Sequence, residues 1–313
     1  MMNKSFCITI DTEPDCTVDW KRSQPLTYES VLIGIPQILR PVWNTYNVKP
    51  VYFVSPEVVG SDRCCEVLRS EIVSGAEIGS HLHSEYIEPQ RKHYAADGTV
   101  SNEFPCFAYS DQIEYEKIRN LTDLIKAKLN ITPVSYRAAR FGADTATVKS
   151  LQRLGYKVDS SVTPAINWSR VGGPDHSKAP DQPYFISPDD YYKPGESSIL
   201  EVPITISQKR LFCLPERWFF YRWLRPSIMT VFEMKALIRE SISSYENPVL
   251  TMMFHSMEII PNKSPYVRTK RGQRRFLAKL KKTIQFLCEQ GFQSRTLRSV
   301  YEEKLRQIQN LDK

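Results

Sequence analysis

Three of the five histidines fall in two short cassettes, Glu77-Ile78-Gly79-Ser80-His81-Leu82-His83 and Leu250-Thr251-Met252-Met253-Phe254-His255-Ser256. A third cassette, Ile8-Thr9-Ile10-Asp11-Thr12-Glu13, ends an apolar run on two carboxylates. Each reads as a hydrophobic strand running into side chains that ligate metal or move protons. Residues two apart on a strand share a face, so Asp11 goes with Glu13 and His81 with His83. Two imidazoles with one or two carboxylates suit zinc or a similar divalent ion and can leave coordination positions open. Such an ion lowers the pKa of bound water and polarises a substrate oxygen. A carboxylate outside the ligand set can take the water's proton, and a separate histidine, His255, can protonate the leaving group. The cassettes therefore predict a metal-dependent enzyme whose site is built from strand ends, as in α/β barrels. His93 and His176 sit in polar loops and are expected to stand apart from the metal.

The elements that must position these residues alternate between strand and helix. Strands are expected near residues 6–10, 51–54, 76–79, 134–136, 156–158, 200–202, 248–254 and 292–296. Helices are expected near 28–46, 63–73, 110–130, 232–245 and 274–290, with another from about Leu297. Ser110 and Asp144 are candidate N-caps, Gly155 ends a helix, and Pro36 and Pro41 mark breaks or kinks in the first one. This rhythm predicts an α/β fold with a mostly parallel sheet or barrel wrapped by helices. A single domain is expected over 1–313, with insertions around 167–197 and 209–226. The first insertion is rich in Pro, Gly, Asp and Tyr. The second mixes Phe212, Trp218, Phe219, Phe220, Tyr221 and Trp223 with arginines.

Composition narrows the class. The 313 residues are 41% hydrophobic and 25% charged, which is globular and neither disordered nor fibrous. No run approaches the roughly 18 apolar residues of a membrane span. The first residues hold only a short apolar stretch, too short for a signal-peptide core, so a cytoplasmic protein is expected. Seven scattered cysteines (Cys7, Cys16, Cys64, Cys65, Cys106, Cys213 and Cys288) contain no CxxC pair and suit free thiols in a reducing compartment. The net charge of +7 is partly clustered in Arg268, Lys270, Arg271, Arg274, Arg275, Lys279, Lys281 and Lys282. That cluster fits the solvated face of a helix, or attraction to an anionic partner such as a sugar nucleotide, a lipid diphosphate or a membrane surface. No nucleic-acid-binding motif accompanies it.

Five blocks in order resemble the polysaccharide deacetylase, or NodB-homology, family, in particular its cytosolic branch associated with O-antigen and capsule biosynthesis. They are Ile10-Asp11-Thr12-Glu13, residues 77–83, Tyr136-Arg137-Ala138-Ala139-Arg140-Phe141-Gly142, Gly155-Tyr156-Lys157-Val158-Asp159-Ser160-Ser161, and Phe254-His255-Ser256-Met257-Glu258. The resemblance implies a distorted (β/α) barrel of the NodB-homology type and metal-dependent removal of an N-acetyl group from a sugar. It implies Asp11 as general base, His81 as a metal ligand and His255 as the acid. It also implies Arg137 as the residue that orients the base, and a block containing Asp159 as what positions His255. Arg140, Ser256 and Glu258, inside matched blocks, are expected to bind substrate. Arg137 and Arg140 as salt-bridged barrel residues, and Asp159 as a turn cap, remain the plainer readings.

Two departures from the family pattern bear on the ligands. The usual adjacent Asp-Asp is here Asp11-Thr12-Glu13, so Glu13 is the expected third ligand, and which carboxylate ligates and which takes the proton stays open. The usual histidines four apart become His81 and His83, with Glu85 at the expected second position. The leading expectation is a zinc-type N-deacetylase acting on a nucleotide-linked or lipid-linked sugar precursor of a cell-surface polysaccharide or lipopolysaccharide. The 210–225 segment is expected to contact the membrane surface or carry a diphosphate, or else to pack as a lid on the barrel. Two other classes stay open. A Mn2+-dependent glycosyltransferase could use Asp-x-Glu, although that leaves the three histidines without work. A catalytically inactive carbohydrate-binding protein could keep the fold.

Overall fold

In strand β1 (Ser5–Thr12) Phe6, Ile8 and Ile10 face an outer layer of helices, whereas Cys7 packs in a second cluster inside the sheet's curl. Thr9 and Asp11 share the parity of Cys7, so the period of two sends apolar groups outward and chemistry inward. The same alternation holds in β3 (Glu77–Leu82), where Ile78 and Leu82 join the outer cluster and Gly79 and His81 take the inner parity. Gly79 is required by space: a Cβ there would lie 2.6 Å from the Phe53 ring and from Ser135 Oγ.

The computed structural model describes residues 4–92, 97–99, 103–210 and 219–311. The remaining strands are β2 (Val51–Val54), β4 (Ser135–Ala138), β5 (Val158–Asp159), β6 (Tyr184–Phe185), β7 (Leu200–Glu201), β8 (Ile206–Arg210), β9 (Phe219–Trp223), β10 (Val249–His255) and β11 (Gln293–Ser294). The order across the main sheet is β10-β1-β2-β3-β4-β5-β7-β6, with β11 also paired to β1. All of these pairings are parallel except β6 with β7. The gap between β7 and β10 is bridged by single bonds, such as Thr205 N–H to Thr251 O (3.0 Å) and Met253 N–H to Leu224 O (3.3 Å). The result is the expected distorted (β/α) barrel, a curled parallel sheet.

Helices α1 (Arg40–Tyr46), α2 (Pro56–Val59), α3 (Asp62–Val73), α4 (Pro105–Ala108), α5 (Asp111–Leu129), α6 (Thr145–Arg153), α7 (Val231–Ser244), α8 (Lys270–Glu289) and α9 (Leu297–Leu311) complete the chain. Residues Ser30–Leu39 wind as a π-helix that carries Pro36 and runs into α1. Pro36 lacks an N–H for the ordinary α ladder, which is one cost a wider turn avoids. Asp144 caps α6 through Ala146 and Thr147, as expected, whereas Ser110 stands at the start of α5 without a side-chain cap bond. Leu297 and Val300 of α9 plug the inner cluster against Cys7, Val51 and Val249.

Both insertions carry strands not expected from sequence: β6 in the first, and the β8–β9 hairpin in the second. Trp223 and Arg225 of the second insertion turn inward and are buried, so this part packs on the barrel. Phe212, Cys213, Arg217 and Trp218, like His93, lie outside the described residues. The other six cysteines are free thiols, and no described helix is long and apolar enough to cross a membrane.

Glu114, in the first turn of α5, is buried and accepts a hydrogen bond from Thr147 Oγ1 at 2.9 Å. Burial first, and then Asp144, Asp111 and Asp159 nearby, push its carboxyl up to about 8 against the opposing bond from Thr147. A carboxyl that binds its proton more tightly when folded contributes full stability below its unfolded value and loses it as pH rises through the folded one. Wild type should therefore lose stability between about pH 4.5 and 8, while Glu114→Gln should flatten that loss and be the more stable protein at pH 9. Parallel denaturant titrations across this range test it, and identical pH profiles would refute the assignment.

Candidate active site

The carboxyl ends of the parallel strands bring the sequence cassettes to one place. Asp11 lies opposite His255 in the β1–β10 register, and His81 opposite Arg137 in the β3–β4 register. Glu13 and His83 are the first residues beyond this pattern, just past the ends of β1 and β3. Strand geometry thus delivers Asp11 and His81, and the chain's exit from the sheet delivers their partners.

Glu13, His81 and His83 are buried, and their ligand atoms lie within 4.8 Å of one another. Glu13 Oε1 sits 3.1 Å from His81 Nε2 and 3.3 Å from His83 Nε2. His81 Nδ1 lies 3.0 Å from the Arg137 carbonyl, which can only accept, so its proton sits there and the Nε2 lone pair faces the cluster. Both ring nitrogens of His83 are buried without a hydrogen bond. Such an orphan calls for a partner, and a divalent cation at the centre of the cluster supplies one. Two nitrogens and one carboxylate fit an ion of the zinc type with positions left open.

The electrostatics agree. Burial favours the neutral form of His83, but Glu13 and then Glu85 outweigh it and lift the imidazole to about 10. Burial would likewise raise Glu13, yet His83 and Arg22 hold it well below the usual carboxylate range. Glu85 lies behind the cluster with Oε1 3.7 Å from His83 Nδ1.

Arg22, which no spacing in the sequence singles out, donates to Glu13 Oε2, to Pro14 O and to Cys16 Sγ. The two oxygens of Glu13 are therefore divided, one toward the histidines and one toward the guanidinium. Arg22 arrives by a tight return of the chain, in which Cys16 and Arg22 form an isolated bridge. Only the folded turn reveals it.

Asp11 Oδ1 accepts from Arg137 Nη1 at 2.7 Å. Burial would raise this carboxyl, but Arg137, His81 and His255 lower it, so it is ionised across the neutral range. Its other oxygen, Oδ2, lies 4.0 Å from His255 Nε2. His255 Nδ1 lies 2.8 Å from Glu258 Oε1, and Arg225 Nη2 donates to that same oxygen. Burial opposes the charge on Glu258, yet Arg225 and His255 bring it down to about 2.

Three sequence expectations change here. Asp159 does not hold His255. It is fully buried in the wall, accepts from Ser161 Oγ and Tyr191 OH at 2.6 Å each, and lies opposite Glu201 in register. Glu258 is inaccessible to substrate and instead orients His255 from three residues on, within the same short turn after β10. Ser256 is also fully buried, bonded to the backbone of Glu13 at 3.4 Å, and ties the ends of β1 and β10. Arg225 was not among the expected site residues, because its insertion shows only an aromatic-basic mixture. His176 is buried, pushed down to about 3 chiefly by burial, and bonded to Thr163, away from the cluster.

These groups open into a cavity of about 590 Å3, walled by Trp20, Phe104, Phe141, Trp168 and Tyr266, with Lys21 and Arg140 also lining it. Trp20 packs edge-on to His255 at 5.5 Å. Arg140 stays at the cavity as expected, its guanidinium 5.1 Å from the Phe104 ring. Trp20, Arg140 and Phe141 have φ of 58°, 55° and 63°. Bulky residues in this region store strain that surrounding structure must hold, a pattern that gathers at functional sites.

No family profile and no curated protein matches the chain. Its fold is similar to that of a protein assigned as a polysaccharide deacetylase from Mycobacterium smegmatis, at 16% identity, covering 97% of this chain and 92% of that one, with a TM-score of 0.53. It is also similar to Puue allantoinase, at 12% identity, covering 96% and 89%, with a TM-score of 0.55. At these identities the likeness is one of architecture.

The purified protein should carry close to one divalent ion per chain by elemental analysis. His81→Ala combined with His83→Ala should lose that ion and keep the wild-type circular dichroism, since the ligands sit at the barrel rim. Full occupancy in the double variant would remove the cluster from consideration.

Proposed function

We propose that the protein is a divalent-metal-dependent hydrolase that removes an N-acetyl group from a sugar. The observation that carries this reading is the pairing of Asp11 Oδ2 and His255 Nε2, 4.0 Å apart beside the Glu13–His81–His83 cluster. Each has its second polar atom tied down, by Arg137 and by Glu258, so both remaining atoms face the same small volume. Glu13, His81 and His83 would hold a divalent ion, whose chemistry when bound would be to acidify a water and polarise the acyl oxygen.

Asp11, ionised and fixed by Arg137, accepts the proton of the attacking water. His255, kept in orientation by Glu258, gives a proton to the departing amine nitrogen through Nε2. General acid–base pairs of this kind must lie within hydrogen-bond reach of one reacting centre, and their separation allows it. The aromatic walls exclude water from part of the cavity and offer flat faces to a sugar ring. The family resemblance of the five sequence blocks points to the same chemistry. Zinc is the ion best suited to the donor set.

The substrate in this reading is an N-acetylated sugar of a cell-surface polysaccharide precursor, such as an O-antigen intermediate. It is carried on a nucleotide or lipid diphosphate and met on the cytoplasmic side. Arg140 lines the cavity, as does Lys21, which Asp97 holds at 3.1 Å, and both carry positive charge toward an anionic carrier group.

Acetate release from N-acetylated sugar nucleotides and lipid-linked sugars tests the proposal. Asp11→Asn should abolish release while the ion stays bound, whereas Glu13→Gln should lose the ion as well. His255→Ala should keep the ion and lower kcat by about 100-fold or more. Unchanged turnover in Asp11→Asn would rule out the base, and the opposite metal pattern in the two carboxylate variants would exchange their roles.

A further inference from the structure

We propose that the loop before α7 and the amino-terminal halves of α7 and α8 form a docking surface for an anionic lipid bilayer. Docking there would set the mouth of the catalytic cavity against the membrane. The inference rests on the reading of a lipid-linked substrate but uses a surface apart from the catalytic groups.

The chemistry of α8 is the first ground. No acidic residue occurs between Glu258 and Glu289, while Arg268, Lys270, Arg271, Arg274 and Arg275 crowd its entry. All five are exposed, and none has an ion pair among the described residues. Cations at a helix amino terminus oppose the macrodipole, so this placement works against the helix's own stability. Thr269 supplies the cap through Gly272 N–H at 3.0 Å, and Phe276, Leu280, Ile284 and Leu287 bury the opposite face. The basic stripe is therefore not needed for folding or packing, and its charge complements an anionic surface.

The second ground is apolar. Phe232, in the first turn of α7, is 76% exposed, and Ile228 in the loop before it is 40% exposed. They adjoin the basic stripe. Lys279 Nζ donates to Met229 O at 2.9 Å, and a groove of about 440 Å3 runs between Val231 and Arg275. Exposed rings and aliphatic groups bordered by Arg and Lys suit the headgroup layer, which a nucleic acid or a soluble polyanion would not require. Continuity with the site is the third ground. Tyr266 lines both this groove and the catalytic cavity, and Arg225 stacks on it at 5.2 Å.

The test is co-sedimentation of the full chain with vesicles of phosphatidylcholine alone or with about a third phosphatidylglycerol. Wild type should pellet with the anionic vesicles, weakly or not at all with the neutral ones, and lose binding as salt rises. Arg271→Glu with Arg274→Glu and Arg275→Glu should lower the partition about 100-fold, from the roughly 1 kcal/mol that each cation near such a surface contributes. Phe232→Ser with Ile228→Ser should also weaken it, and thermal melts establish that both variants fold. No wild-type binding, equal binding to both vesicle types, or undiminished binding by either variant overturns the proposal. So does preference for double-stranded DNA over vesicles in a competition arm. Sedimentation needs no turnover, so vesicle binding without acetate release would overturn the activity and leave the surface standing.

Discussion

A guanidinium removed from water must be surrounded by partners, and Arg137 is the largest fully buried side chain in this barrel. Its partners come from across the sheet: Asp11 at 2.7 Å and Thr9 at 3.0 Å from β1, and the Ser160 carbonyl and hydroxyl at 2.8 Å each just after β5. The ring of Phe53 on β2 lies 4.4 Å from it. Breaking such a pair leaves an uncompensated buried charge, typically at a cost of about 3–5 kcal/mol. Arg137 therefore fixes the register of several strands and the ionisation of Asp11 together. Burial pushes the nearby carboxyls of Asp159 and Glu201 upward, toward their neutral forms.

Much of this was legible in the chain. Asp11, His81 and His255 fall on strands whose period is two, so spacing alone brought them to one rim. The outer face was as readable, through Phe6, Ile8 and Ile10 against Leu250, Met252 and Phe254. What escaped was either too short or too distant. β6 has only two residues, below the length at which alternation shows, and lies in an insertion that reads as a loop. Arg22 and Arg225 reach the site from irregular segments, where no periodicity predicts a neighbour. Asp159 illustrates the opposite error. Its place in a matched block suggested that it holds His255, but on β5 its parity is opposite to that of Val158, which packs in the inner cluster, so it turns away from the site toward Tyr191, and Glu258, in the turn beside His255, takes that place.

The unusual spacing of the carboxylates and histidines has a coherent geometry. His83 lies on the same side of the exit from β3 as His81, and their rings meet edge-on at 5.0 Å. The carboxylate opposite must then reach further, which the longer Glu13 side chain does from one residue beyond β1. Glu85 is a buried carboxylate behind His83, 3.7 Å from its Nδ1, and a carboxylate so placed raises the basicity of the imidazole.

The pairing of β1 on both its edges has a further consequence, for the time course of biosynthesis. β1 pairs on one edge with β2, about forty residues on, but on the other with β10 and β11; Glu13 and its bonding partner Ser256 are 243 residues apart. While the ribosome works through the intervening chain, β1 carries a bare, apolar edge of the sort that seeks other strands. Loops of that length are slow to close, and the exposed intermediate is the one that chaperones must shield. The Glu13–His81–His83 cluster is complete once residue 83 has emerged, so an ion caught there would tie β1 to β3 across β2 during the wait. His255 arrives with β10, the strand that seals the edge.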